Sequence, residues 1–260
     1  MNSMNILAGF GVGLMVGLTG VGGASLMTPI LVLFFGVTPT SAVGSDLWFA
    51  AATKIVGGAV LQRKGSVDWE ILRRLWLGSL PAAVVTLLWM NHIGIGQIKP
   101  RLILVTLGAV LLLTALAMAF KARTHAVAMT LRSRSPQKFK RVQPGLTVLA
   151  GVILGVLVTL TSVGAGALGT AMLLYLYPLR MRPARLVGTD IVHAIPLTVV
   201  AGIGHLILGD VNFTLVGNLL LGSIPGVVLG SMFGGKIPES ALRTAIAIVL
   251  SAVSVKLILS

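Results

Sequence analysis

A few residues in this chain have the chemistry to handle a small charged solute inside an apolar setting. Asp46 follows Gly44-Ser45 and Asp190 follows Gly188-Thr189, so an acid sits early in a long apolar segment twice over. His193 lies one turn beyond Asp190 and shares its helix face. An imidazole at that depth takes up a proton near neutral pH or bonds an oxyanion. Lys54 is the basic residue well inside an apolar segment of the first half. It suits a counter-charge for an anion, and equally a side chain that snorkels toward Arg63 and Lys64. Backbone is the other candidate. Gly20-Val21-Gly22-Gly23 and Gly164-Ala165-Gly166 interrupt apolar stretches, and a helix that restarts after such a break offers free N–H groups and a positive dipole end to an anion. The groups concerned are Gly22, Gly23, Gly164 and Gly166, with the hydroxyls of Thr19, Ser25, Thr161 and Ser162. Two structural roles compete. Glycine clusters also serve close helix packing in membranes, and an aspartate also caps the N–H groups of a broken arm.

These residues come in pairs because the chain repeats itself. LTGVGGA at 18–24 returns as LTSVGAG at 160–166. Pro39, Val43, Gly44 and Asp46 match Pro183, Val187, Gly188 and Asp190; Gly78-Ser79 and Pro81 match Gly222-Ser223 and Pro225. His193 has no counterpart, since Phe49 holds its place. Two fused copies of one apolar unit is the arrangement of many secondary transporters, which bind substrate where the copies meet.

Composition sets the class. Hydrophobic residues make up 56% of the 260, charged ones 10%, against about 25% charged in soluble domains. The chain is a polytopic helical membrane protein. Its 20 Lys and Arg against 6 Asp and Glu do not point to nucleic acid. The basic residues sit between apolar segments, where cytoplasmic positive charge is expected and anionic lipid is the natural partner. With no cysteine, disulfides and thiol chemistry are excluded. No His-Glu-x-x-His, Gly-x-Ser-x-Gly or Walker loop occurs, so no metal site, hydrolase nucleophile or ATP drive is encoded, and no cofactor is implied. The opening MNSMNILAGFGVGLM has no Lys or Arg ahead of its apolar run and is expected to be a retained span.

The elements that must position these groups follow from periodicity and charge. Spans are expected at 43–61, 72–90 and 102–120, and again at 186–208, 213–233 and 241–259. Each copy opens with an apolar stretch broken by its glycines, 6–35 and 146–177. Loop 62–74 and the linker are basic, whereas the second-copy equivalents are not; loop 178–185 holds Arg180, Arg182 and Arg185, whereas its first-copy equivalent 36–42 is uncharged. The basic loops have swapped sides. Under the positive-inside rule this predicts inverted repeats, each a glycine-broken helical hairpin followed by three transmembrane helices. Both termini then lie outside. Loop 91–101, with Lys99 and Arg101, fits that scheme poorly. The organisation expected is a first membrane repeat at 1–120, a basic cytoplasmic linker at 121–143 and a second repeat at 144–260.

GVGGASLMTPIL and SVGAGALGTAML, the AVGSD and LVGTD that begin the next spans, and the turns KGSVDW and LGDVNF together resemble the TauE/SafE family of sulfite and organosulfonate exporters. The resemblance covers nearly the whole chain except the basic linker. It departs where Ala24 and Ala165 replace a glycine, and where Asp46 and Asp190 stand in place of the usual serine. An acid at both positions is also compatible with a different coupling ion or a cationic substrate. The resemblance implies an exporter of a small sulfur-containing anion in the bacterial inner membrane; residue chemistry, with no ATP-binding motif, makes Asp46, Asp190 and His193 the candidate groups for ion coupling. Residue chemistry alone supports a carrier for a small anion or polar solute. A passive anion channel and a diaspartyl membrane enzyme are the competing readings.

Overall fold

Backbone that crosses lipid must satisfy its own hydrogen bonds, and the computed structural model of the chain is helical accordingly. The structure describes residues 3–19, 26–63, 67–94, 100–120, 129–130, 136–233 and 239–259. The first half carries α1 (Ser3–Thr19), α2 (Met27–Phe35), α3 (Pro39–Arg63), α4 (Trp69–Ile93) and α5 (Pro100–Ala119). The second carries α6 (Pro136–Thr161), α7 (Ala167–Leu176), α8 (Pro183–Ile207), α9 (Phe213–Phe233) and α10 (Glu239–Leu259). Five of these are long and apolar enough to cross a membrane. A helix stands at each expected span, within a few residues of its expected ends, although among the described residues α3 and α10 are not among those five. α6 starts at Pro136, inside the segment read as linker; proline suits a helix's first turn, where its missing N–H costs nothing.

Each half opens with one long and one short helix. α2 has 9 residues and α7 has 10, about half of the roughly 20 needed to cross a bilayer. α7 is the returning arm of a hairpin. The Gln143 side-chain amide donates to the Leu176 carbonyl, and the Thr147 and Tyr177 hydroxyls pair at 2.7 Å. The C-terminus of α7 therefore lies beside the first turns of α6.

The halves interlock by exchanging equivalent helices. α1 packs on α9 as α6 packs on α4. Both crossings are close at glycine. A Cβ on Gly13 would sit 2.7 Å from the Ser223 Cα, and one on Gly155 2.9 Å from the Ser79 Cα, the small-residue contact typical of membrane helices. α3 and α8 pack antiparallel on each other at the centre: Trp48 Nε1 donates to the Gly202 carbonyl at 3.0 Å. Their ends are tied by matching bonds. The Asn212 N–H donates to Ser45 at 3.1 Å, and the Asp68 N–H donates to Thr189 at 3.0 Å. Asp68 and Asn212 also cap the N-termini of α4 and α9 through Ile71 and Leu215.

The two ends of the bundle differ in charge. At one, Arg180 makes two bonds to Asp68 at 2.6 and 2.8 Å and pairs with Glu70 at 2.7 Å. Arg74 pairs with Glu70 at 2.5 Å and reaches the Tyr177 hydroxyl. Arg182 and Arg185 stand exposed on the same loop. The other end holds residues 36–45 and 208–212, with Asp210 as its buried acid.

Candidate functional site

Asp46 and Asp190 each sit on the N-terminus of a short arm. Leu26 and Gly166, the residues that precede α2 and α7, supply no side-chain cap, so the first N–H groups of each arm need an acceptor. Thr28 Oγ1, in the first turn of α2, donates to Asp46 Oδ2 at 2.5 Å. Asp190 lies against the first turn of α7: a methyl at Gly169 would overlap its Oδ1, and the Gly166 backbone acts on the carboxylate electrostatically. Neither Asp190 oxygen closes a hydrogen bond of full geometry. Both aspartates are almost fully buried, 0% and 1% exposed.

The break that precedes α7 has an unusual backbone. Ser162 has φ 60°, Gly164 131° and Gly166 133°. Glycine tolerates such angles, whereas a serine there is strained by roughly 1–3 kcal/mol. The strain aims the Ser162 hydroxyl at Asp46, across from the other half. Ser162 Oγ and Asp46 Oδ1 remain buried without a closed hydrogen bond. Thr161 behaves differently. Its hydroxyl accepts the Val163 N–H and donates to the Leu157 carbonyl, so it closes the turn and is not free for a guest. Gly164 likewise serves the turn, its carbonyl accepting the Gly169 N–H at 3.0 Å.

Lys54 completes the cluster. It is half-buried on α3, and its ammonium acts on both Asp46 and Asp190. His193 is wholly buried nearby. Its ring, though on the same helix face as Asp190, turns to α4: Nε2 pairs with Ser79 Oγ at 2.9 Å, and Trp76 Nε1 donates to its carbonyl at 3.2 Å. Nδ1 has no partner. The repeat equivalent Ser223 hydroxyl has no partner either, because Phe49 stands where the second half has histidine.

The structure thus brings together Ser162, Gly166, Lys54, Asp46, Asp190 and His193, with Thr161 and Gly164 supporting the turn. Gly22, Gly23 and Ser25 lie outside the described residues, as does the Thr19 side chain. Thr28 and Ser79 were not singled out from sequence. The duplicated threonine (Thr28, Thr170) and the duplicated Gly-Ser were the available signals. His205, in the last turn of α8, is 1% exposed. Among the described residues, no group of three or more His, Asp or Glu side chains gathers as a metal would require.

In this geometry two buried carboxylates occupy the arm N-termini, the positions where an anion is most favourable. Two helix N-termini carry about half a positive charge each, and with one ammonium they offset two carboxylates. An incoming anion must displace a carboxylate or meet its repulsion. A displaced carboxylate without its cationic partners is stable in that setting only with a proton.

Comparison with known proteins shows the family. The family described as "Sulfite exporter TauE/SafE" matches residues 5–257. The "Probable membrane transporter protein YjnA" of Bacillus subtilis (strain 168) is 37% identical over 216 residues, which cover 81% of each chain. No solved structure matches.

Proposed function

The chain belongs to the sulfite exporter TauE/SafE family, and from that premise we propose that it is a secondary exporter of a small sulfur-containing anion, sulfite or an organosulfonate, in the bacterial inner membrane. It is an integral membrane protein of a transporter family. The substrate, the coupling and the orientation are our reading.

The halves are inverted relative to the membrane. Equivalent helices α3 and α8 run antiparallel, which supports a pseudo-twofold axis in the membrane plane. The arginine-rich end, with Arg74, Arg180, Arg182 and Arg185, faces the cytoplasm and its anionic lipid. The anion binds between the halves, near the midplane, at Lys54, Ser162 and the start of α7. The single observation that carries this is that one buried aspartate from each half sits against the N-terminus of a short arm, Asp46 at Thr28 and Asp190 at Gly169.

The carboxylates explain coupling. As the anion takes a carboxylate's place, that carboxylate takes up a proton, and the two ions move together. Outward sulfite and the interior-negative potential then drive export by rocking of the two halves. Proteoliposomes loaded with sulfite and a lumenal pH dye test this. Efflux should alkalinise the lumen in step with sulfite loss, and Asp46→Asn with Asp190→Asn should abolish the alkalinisation. Sulfite efflux without proton movement would replace this reading with a passive anion channel.

A further inference from the structure

A second titratable pair stands apart from this cluster, at the end of the bundle opposite the arginines. His205, in the last turn of α8, is 1% exposed, and Asp210, just beyond it, is 8% exposed. His205 Nε2 lies 2.9 Å from the Thr159 carbonyl of α6. A carbonyl only accepts, so Nε2 carries the proton and Nδ1 of the neutral ring is a bare acceptor. Nδ1 faces Asp210 Oδ2 at 4.0 Å. Both atoms are buried and neither has a hydrogen-bond partner. Two unsatisfied acceptors aimed at each other are costly. One added proton satisfies both: an imidazolium donates through Nε2 to Thr159 and through Nδ1 to Asp210.

A cavity of about 190 Å³ adjoins the pair, lined by His205 and by Thr40, Trp89, Met90, Leu102 and Thr106. None of Asp46, Lys54 or Asp190 lines it. The groups that face the pair are few. α6 presents the Thr159 carbonyl, α3 presents Thr40, whose side chain bonds Asp210, and the cavity residues from α4 and α5 are not titratable. Burial pushes the Asp210 carboxyl above its ordinary range, against the opposing effects of Thr40 and His205.

Asp210 also bridges the halves. Its backbone N–H donates to the His205 carbonyl at 3.0 Å, its carbonyl lies so close to Gly44 of α3 that a Cβ there would meet the carbonyl carbon at 3.2 Å, and Asn212, two residues on, is tied to Ser45. We propose that His205 and Asp210 form a proton-operated clamp that fastens the start of α3 to the end of α8 at this end of the bundle. With the proton bound, the Nδ1–Oδ2 gap closes and the end is held shut. Without it, the two acceptors draw in water through the cavity and the end loosens. The opposite end has no such dependence, since there the equivalent Thr189–Asp68 tie is reinforced by the Asp68–Arg180 ion pair.

The chain has no cysteine, so Thr106→Cys places one thiol in the cavity. Its labelling by a charged methanethiosulfonate, corrected for thiolate fraction, should run about fivefold faster at about pH 8.5 than at about pH 4.5, a window wide enough to span uptake of one proton by the buried pair. His205→Gln, and independently Asp210→Asn, should bring that ratio below about twofold, while sulfite binding measured by calorimetry keeps its wild-type affinity. The same pH ratio in both variants as in the parent, or no pH dependence in the parent, overturns the clamp. Loss of sulfite binding in Asp210→Asn overturns it as well, by making the pair part of the substrate site.

Discussion

Replacing Lys54 with Gln tests the charge balance of the central cluster. With Lys54 present, one ammonium stands against Asp46 and Asp190; without it, two buried carboxylates keep only Thr28, Ser162 and the arm ends as partners. One unit charge at about 6 Å in an effective dielectric of about 20 is worth about 3 kcal/mol, a loss of about a hundredfold in anion affinity. Lys54→Arg retains the charge and should stay within about fivefold of wild type. Calorimetry with sulfite in detergent reads the affinity, and the thermal midpoint in the same buffer separates binding from unfolding. A Lys54→Gln protein that folds and binds sulfite within about threefold of wild type would refute the assignment of Lys54 as counter-charge.

Asp46→Asn and Asp190→Asn should shift affinity the other way, tightening sulfite by up to about a hundredfold while flux stops responding to an imposed pH gradient; unchanged affinity in both would mean that the acids only cap their arms. Gly164→Val forces a β-branched residue to φ 131° and should cost about 1–3 kcal/mol, seen as a lower thermal midpoint together with lost transport. Asp68→Ala should destabilise by about 1 kcal/mol more than Arg180→Ala, because it removes the α4 cap as well as the ion pair. Single cysteines at Arg73 and Ala184, both exposed, should react with impermeant reagent only from the cytoplasm; labelling of the two from opposite sides removes the inverted arrangement.

Much of the fold was legible because hydropathy and internal repetition report directly on spans. The second glycine break marked where its opening stretch turns, and Arg74 and Arg180 of the arginine loops meet at one end. The exchange of α1 and α6 between halves was not legible. It depends on glycine faces meeting Ser223 and Ser79 across the molecule, and nothing local to α1 names its partner. In the site, the repeat alignment exposed Asp46, Asp190 and the missing second histidine. It could not show that Thr161 spends its hydroxyl on its own turn, or that the His193 ring bonds Ser79. Those are matters of rotamer and distance, which spacing along a helix leaves open.

The central claim is that the transported anion binds between the halves beside Lys54. Selenite keeps the shape and charge of sulfite, and its selenium scatters anomalously, so a structure of the selenite complex locates the ion directly. The peak should lie within about 4 Å of Lys54 Nζ and Ser162 Oγ, and should vanish in Lys54→Gln. A peak among Arg74, Arg180 and Arg182 instead, with the Lys54 cluster unchanged, would contradict it.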